Sequence, residues 1–107
     1  MKLYYAPGAC SLAPHIVARE AGLSLDLDQL DFATRTTASG RPFAEINPKG
    51  YVPALLIQDG EILTEASVIL EYLGSLAPGS GLLPETGSLE RFRVQEWLVF
   101  ILSLIHI

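Results

Sequence analysis

A proline at residue 53 stands directly ahead of the apolar run Ala54-Leu55-Leu56-Ile57, and it constrains this chain more than any other residue. Proline has no N–H to give to a ladder, so a strand accepts it at its first residue, at an edge or at a bulge. A strand therefore begins just after Pro53, entered from the Gly-containing turn Asn47-Pro48-Lys49-Gly50. Asp59-Gly60 then separates ALLIQ from EILT, a pattern that predicts an antiparallel hairpin with a two-residue turn. From Glu65 to Leu76 apolar residues recur at 66, 69, 70, 73 and 76, one stripe of a helix that Pro78-Gly79 ends. The second half of the fold is thus read as ββα.

The first half reads as βαβ. KLYY at residues 2–5 is a short strand stopped by Pro7 and Gly8, and SLAPHIVAREAG is a helix with Ser11 as its N-cap and Gly22 as its stop. Residues 23–32 place Leu23, Leu25 and Leu27 at period two, the mark of a half-buried strand. Two such strands joined through a helix are expected to lie parallel with a right-handed crossover. Between Ala33 and Ile46 the composition is polar and irregular, with one short helical turn expected at 43–46.

After residue 78 the segment PGSGLLPETG reads as a linker, and Ser88 is expected to cap a final helix. We divide the chain into a first domain at 1–78, a linker at 79–87 and a helix at 88–107. That helix is amphipathic to Glu96 and then apolar on every side, with Trp97, Phe100 and Leu104 in need of cover. We expect a truncated chain whose further helices cover this face; a dimer contact is the alternative. The terminal WLVFILSLIHI has eleven residues, short of the ~20 that span a bilayer.

Composition removes several classes of function. Half of the 107 residues are hydrophobic, enough for a core without metals or disulfides, and the single cysteine, Cys10, has no intramolecular partner. Twelve acidic residues against seven basic give a net charge of −5 with no run of Lys or Arg, which argues against nucleic acid and anionic membranes as partners. Pro7 and Gly8 interrupt any apolar leader, so we expect a cytoplasmic protein. No metal is expected.

A βαβ unit followed by ββα, with proline before the third strand, is a thioredoxin-like α/β arrangement, here followed by the first helix of an all-α C-terminal domain. The segments KLYYAPGACSLAPHIVARE, INPKGYVPAL and ILTEASVILEYL, in this order, resemble the N-terminal domain of glutathione S-transferases of the bacterial beta class, over residues 1–100. The resemblance implies that the Val52–Pro53 bond is cis and that Val52 turns its N–H and C=O toward the cysteinyl unit of glutathione, as an added strand would pair. It implies that Glu65 holds the γ-glutamyl ammonium and that the N–H of Ala66, at a helix N-terminus, holds the adjoining carboxylate. Without a ligand, Glu65 would be accounted for by the helix dipole alone. Many relatives have serine where this chain has Ala66, with Ser67 one place later, which removes a hydroxyl contact but keeps the backbone donor.

By the same resemblance Arg35, or less directly Lys49, meets the glycyl carboxylate, and Cys10 lies beside the glutathione sulfur, where it can form a mixed disulfide. A cysteine ahead of a helix N-terminus is the usual setting of a nucleophilic thiol, although free cysteines are often small buried hydrophobes. Ser11 is expected near the ligand thiol, Tyr5 matches a tyrosine that other classes use catalytically, and His106 matches a histidine lining the site. Val99 stands where the class often has a polar ligand contact. The implied activity is conjugation of the glutathione thiol to a small electrophile by a homodimer. The alternatives are monothiol redox chemistry through Cys10, position 13 being alanine and no CxxC present, and a non-catalytic glutathione-binding fragment.

Overall fold

The computed structural model describes residues 1–105; the expected site residue His106 lies outside the described residues. Five strands form one sheet in the order β3-β2-β1-β4-β5: β1 is Lys2–Tyr5, β2 Asp26–Asp31, β3 Thr36–Thr37, β4 Ala54–Leu56 and β5 Ile62–Thr64. Strands β1 and β2 are parallel and joined through helix α1, Leu12–Glu20; the other neighbours are antiparallel. Helix α2, Ala66–Ser75, follows β5, and α3, Leu89–Ile105, comes last. The expected βαβ-ββα order and the first helix beyond it are present.

Alternation along the central strands divides the core into two layers. On one face Leu3 and Leu55 meet Ala18 of α1 and Ile69 and Leu73 of α2, all fully or almost fully buried. On the other face Tyr4, Leu30 and Ala54 meet Phe43 and Ile46, which come from the segment between β3 and β4. Each buried Leu, Ile or Phe contributes about 1.5–3 kcal/mol. The second layer matters for function, because its Phe43–Glu45 turn lies at the root of the loop that leads to Pro53.

Three sequence expectations need correction. Strand β2 starts at Asp26, so Leu23 and Leu25 precede it and pack beneath the helix layer as irregular chain, the Leu23 N–H bonding to Ala18 O at 2.8 Å. Leu27 pairs with Leu3 in the ladder yet is 44% exposed, whereas Asp28 and Leu30 on the opposite face are buried. Asp28 is satisfied there by the N–H and hydroxyl of Ser39, at 3.2 and 2.7 Å. The β4–β5 register, Leu56 against Ile62 with Ile57 N–H on Glu61 O, leaves a three-residue loop, Gln58 to Gly60, in place of the expected two. Asp59 and Gly60 both have positive φ, so the pair does make the reversal, with one more residue than expected. Strand β3, two residues at the sheet edge, falls in the stretch read as irregular.

The segment read as a linker is packed. The Leu83 side chain packs directly on Gly74 of α2, where a Cβ would come within 2.8 Å of it and would have to push it aside. Ser88 caps α3 as expected, its Oγ accepting the Arg91 N–H at 3.2 Å. Arg91 and Gln95 both reach Glu71 of α2, at 3.4 and 3.2 Å, and fix the start of α3. No described residue of α3 is buried; Trp97, Phe100 and Leu104 are more than half exposed. Among the described residues no helix is long and apolar enough to cross a membrane.

Candidate functional site

Strand register decides which loops meet. Tyr4 pairs with Ala54 and Ala54 with Thr64, in antiparallel ladders. The residues that follow β1, precede β4 and follow β5 therefore emerge at one end of the sheet, and these are 6–11, 52–53 and 65–67. Cys10, Glu65, Ala66 and Ser67 line a cleft of about 340 Å³ there, closed on the far side by Val99, Leu102 and Ser103 of α3.

The Val52–Pro53 bond is cis, and Val52 lies outside both ladders. Among the described residues its N–H and C=O enter no backbone hydrogen bond. The loop before it is held by Asn47, 2% exposed, whose Nδ2 donates to Tyr51 O at 2.8 Å and whose Oδ1 accepts the Lys49 N–H at 3.1 Å. Sequence reasoning missed Asn47 as a site-forming residue, although an Asn heading a Pro- and Gly-containing turn is a known signal for such bonds.

Glu65 immediately precedes α2 with φ 71° and ψ 122°, a conformation that a non-glycine residue adopts at a cost of about 1–3 kcal/mol and that clusters at functional sites. Its side chain makes no capping bond to its own helix. The carboxylate projects from the helix start instead, beside the first-turn N–H groups of Ala66 and Ser67, which have no acceptor within the helix. An acceptor for a cation and donors for an anion thus stand side by side, the pattern that an α-amino acid zwitterion fits.

Arg35, at φ 58°, lays its guanidinium over the loop and donates to Gly50 O at 3.0 Å. Gly50 permits this, since a Cβ there would lie 2.9 Å from Arg35 Nη2. Lys49 is not free for a glycyl carboxylate: its Nζ is 2.6 Å from Glu65 Oε2 and 2.7 Å from Thr64 Oγ1. Thr64 was not anticipated, and nothing local in the sequence marks it.

Two hydroxyls are placed differently from expectation. Ser11 occupies the cap position of α1 but makes no capping bond; its Oγ accepts the Ala6 N–H and donates to Ala6 O, both at 3.1 Å, and the residue is 1% exposed. It clamps the 6–11 loop that presents Cys10 and does not point into the cleft. The Tyr5 hydroxyl lies toward Gln29 Oε1, at 3.4 Å, and Tyr5 does not line the Cys10 cleft. Replacing Ser11 by alanine leaves the buried Ala6 N–H without a partner, while Ala6 O keeps the Ala9 N–H. The expected cost is about 1–3 kcal/mol, read as a lower urea midpoint, with amide shifts concentrated at residues 6–11.

Cys10 is half-buried and lines both this cleft and an adjoining apolar groove between α1, α2 and α3. Among the described residues no cluster of three His, Cys, Asp or Glu is arranged to hold a metal.

Comparison with known proteins bears on the fold and the family. The family model for the glutathione S-transferase N-terminal domain matches residues 8–76. The chain is 43% identical over 106 residues to glutathione S-transferase GstA of Escherichia coli O157:H7, covering 99% of this chain and 53% of that protein. A glutathione transferase from Methylococcus capsulatus str. Bath superimposes with a TM-score of 0.94 at 60% identity, over 98% of this chain and 52% of its own. A sphingomonad glutathione S-transferase complexed with glutathione and a bacterial beta class enzyme from Sphingomonas chungbukensis each give a TM-score of 0.90, at 49% and 48% identity, over 94% of this chain and 50% of theirs. The chain spans about half the length of the relatives it matches. With its thioredoxin-like sheet and these likenesses, the chain belongs to the glutathione S-transferase family, on the side of the bacterial beta class.

Proposed function

We propose that this chain forms the glutathione site of a transferase that joins the glutathione thiol to small electrophiles. The reading rests on one juxtaposition: the backbone of Val52, the carboxylate of Glu65, the first N–H groups of α2 and Cys10 share one sheet end. A tripeptide with its cysteinyl unit beside Val52 would set its γ-glutamyl zwitterion on Glu65 and Ala66 and its sulfur near Cys10. Arg35 then stands nearest the glycyl carboxylate. In the sphingomonad relative glutathione is the bound ligand.

The chemistry follows from placement. A free thiol with a pKa of about 8.5 is mostly protonated at neutral pH, so rate is gained by donors that favour the thiolate and by holding it against the electrophile. Attack forms the S–C bond, the electrophile's leaving group departs with its electron pair, and the thiol proton passes to solvent. Val99, Leu102 and Ser103 of α3 form the wall against which the electrophile would lie. The acting protein is a cytoplasmic homodimer in this reading, with residues 1–78 as the glutathione domain and α3 as the start of the helical one.

A second reading, thiol exchange with glutathione through Cys10, is favoured by the two hydroxyls: Ser11 and Tyr5 are engaged elsewhere, which leaves Cys10 as the reactive side chain of the β1 loop facing the cleft. The two are separated by Cys10→Ala. For a transferase, the variant keeps most of its conjugation of glutathione to an activated aryl halide, followed by absorbance, and loses only the mixed disulfide seen by intact mass after exposure to oxidised glutathione. Loss of both activities together would assign the chemistry to Cys10 and reject conjugation as the primary role.

A further inference from the structure

Lys49 stands where the ammonium group of a ligand is proposed to bind. Its Nζ touches Glu65 Oε2 at 2.6 Å and Thr64 Oγ1 at 2.7 Å, and the two charged side chains are 51% and 57% exposed. The backbone from which it springs is held independently, by Asn47 on the Lys49 N–H and by Arg35 on Gly50 O. The turn therefore keeps its shape whether or not the lysine stays on Glu65, and the flexible four-carbon stem lets the ammonium leave without moving the loop.

We propose that Lys49 is an internal competitor for the ammonium subsite, occupying Glu65 in the free protein and displaced by the ligand's own ammonium. The inference rests on the glutathione reading of the site. One carboxylate then serves two cations in turn. The displaced lysine stays on the turn whose Gly50 carbonyl the Arg35 guanidinium holds. The pair therefore costs affinity only for a ligand whose own ammonium takes the place of Lys49 on Glu65, while a ligand without that group leaves the pair intact. An exposed lysine–carboxylate pair is a weak interaction, so its competition lowers affinity for an ammonium-bearing ligand by about two- to fivefold.

Two ligands that differ only at this group isolate the effect: glutathione and its analogue in which hydrogen replaces the amino group. Dissociation constants for both are measured by amide NMR titration on the 107-residue chain, on Lys49→Met and on Lys49→Gln. The spectra report at once whether each variant is folded. The expected result is that the ratio of the deamino constant to the glutathione constant rises about two- to fivefold in both variants. A ratio that stays constant or falls, in a wild-type chain that binds glutathione, overturns the role of Lys49 and leaves the glutathione reading standing. A wild-type chain that binds neither ligand overturns the glutathione reading, and this inference with it.

Discussion

Replacing Glu65 by glutamine is expected to weaken glutathione binding about 10- to 100-fold while leaving the fold in place. Glutamine has nearly the same shape and keeps a carbonyl acceptor, so the change removes the charge and little else. A hydrogen bond to a charged group contributes about 1.5–3 kcal/mol, which sets that range. Stability should change little, for Glu65 caps nothing with its side chain and its pair with Lys49 is exposed, an interaction of about 0–1 kcal/mol. Calorimetry gives the affinity and a thermal scan the stability. An affinity within threefold of wild type would show that the carboxylate is explained by its place at a helix N-terminus, and the γ-glutamyl assignment would fall.

The largest effect on stability is expected from Phe43→Ala. Phe43 is 1% exposed and packs on Tyr4, with ring centres 6.1 Å apart, in the layer opposite the helices. Truncating such a side chain costs about 3–5 kcal/mol, against about 5–15 for a whole domain. The backbone around it keeps its bonds, Phe43 N–H to Arg35 O and the Ile46 and Asn47 N–H groups to Phe43 O. The damage should therefore appear as a lost core beneath the 47–52 loop. Urea unfolding measures the loss, and Phe43→Leu, which refills most of the space, should restore a large share of it. A cost below about 1 kcal/mol for the alanine variant would mean that this segment does not form a second core layer.

The elements legible in the sequence are those whose information is local. Pro53 marks the start of β4 whatever else the chain does, and Pro7-Gly8 and Pro78-Gly79 bracket the helical stripes, so the βαβ-ββα order could be read directly. Leu27 misled because period two tells which residues share a face but not how far cover extends: β2 is flanked by the two-residue β3, and the helix layer leaves Leu27 largely open. The two threonines of β3 carry too little pattern to announce a strand. Ser11 misled for a different reason. Cap preference is a property of the helix start, whereas its hydroxyl finds Ala6 only because the loop after β1 doubles back. The Lys49–Glu65 pair spans sixteen residues and depends on β4 and β5 lying side by side, so no local motif carries it.

Glutathione titrated into the purified 107-residue chain, followed by backbone amide shifts, tests the central claim most directly. A dispersed spectrum in which Val52, Glu65, Ala66 and Cys10 shift together, with the outer faces of α1 and β2 unmoved, is the predicted result. A dispersed spectrum in which these four amides stay in place up to saturating glutathione would contradict the claim that this sheet end is a glutathione site.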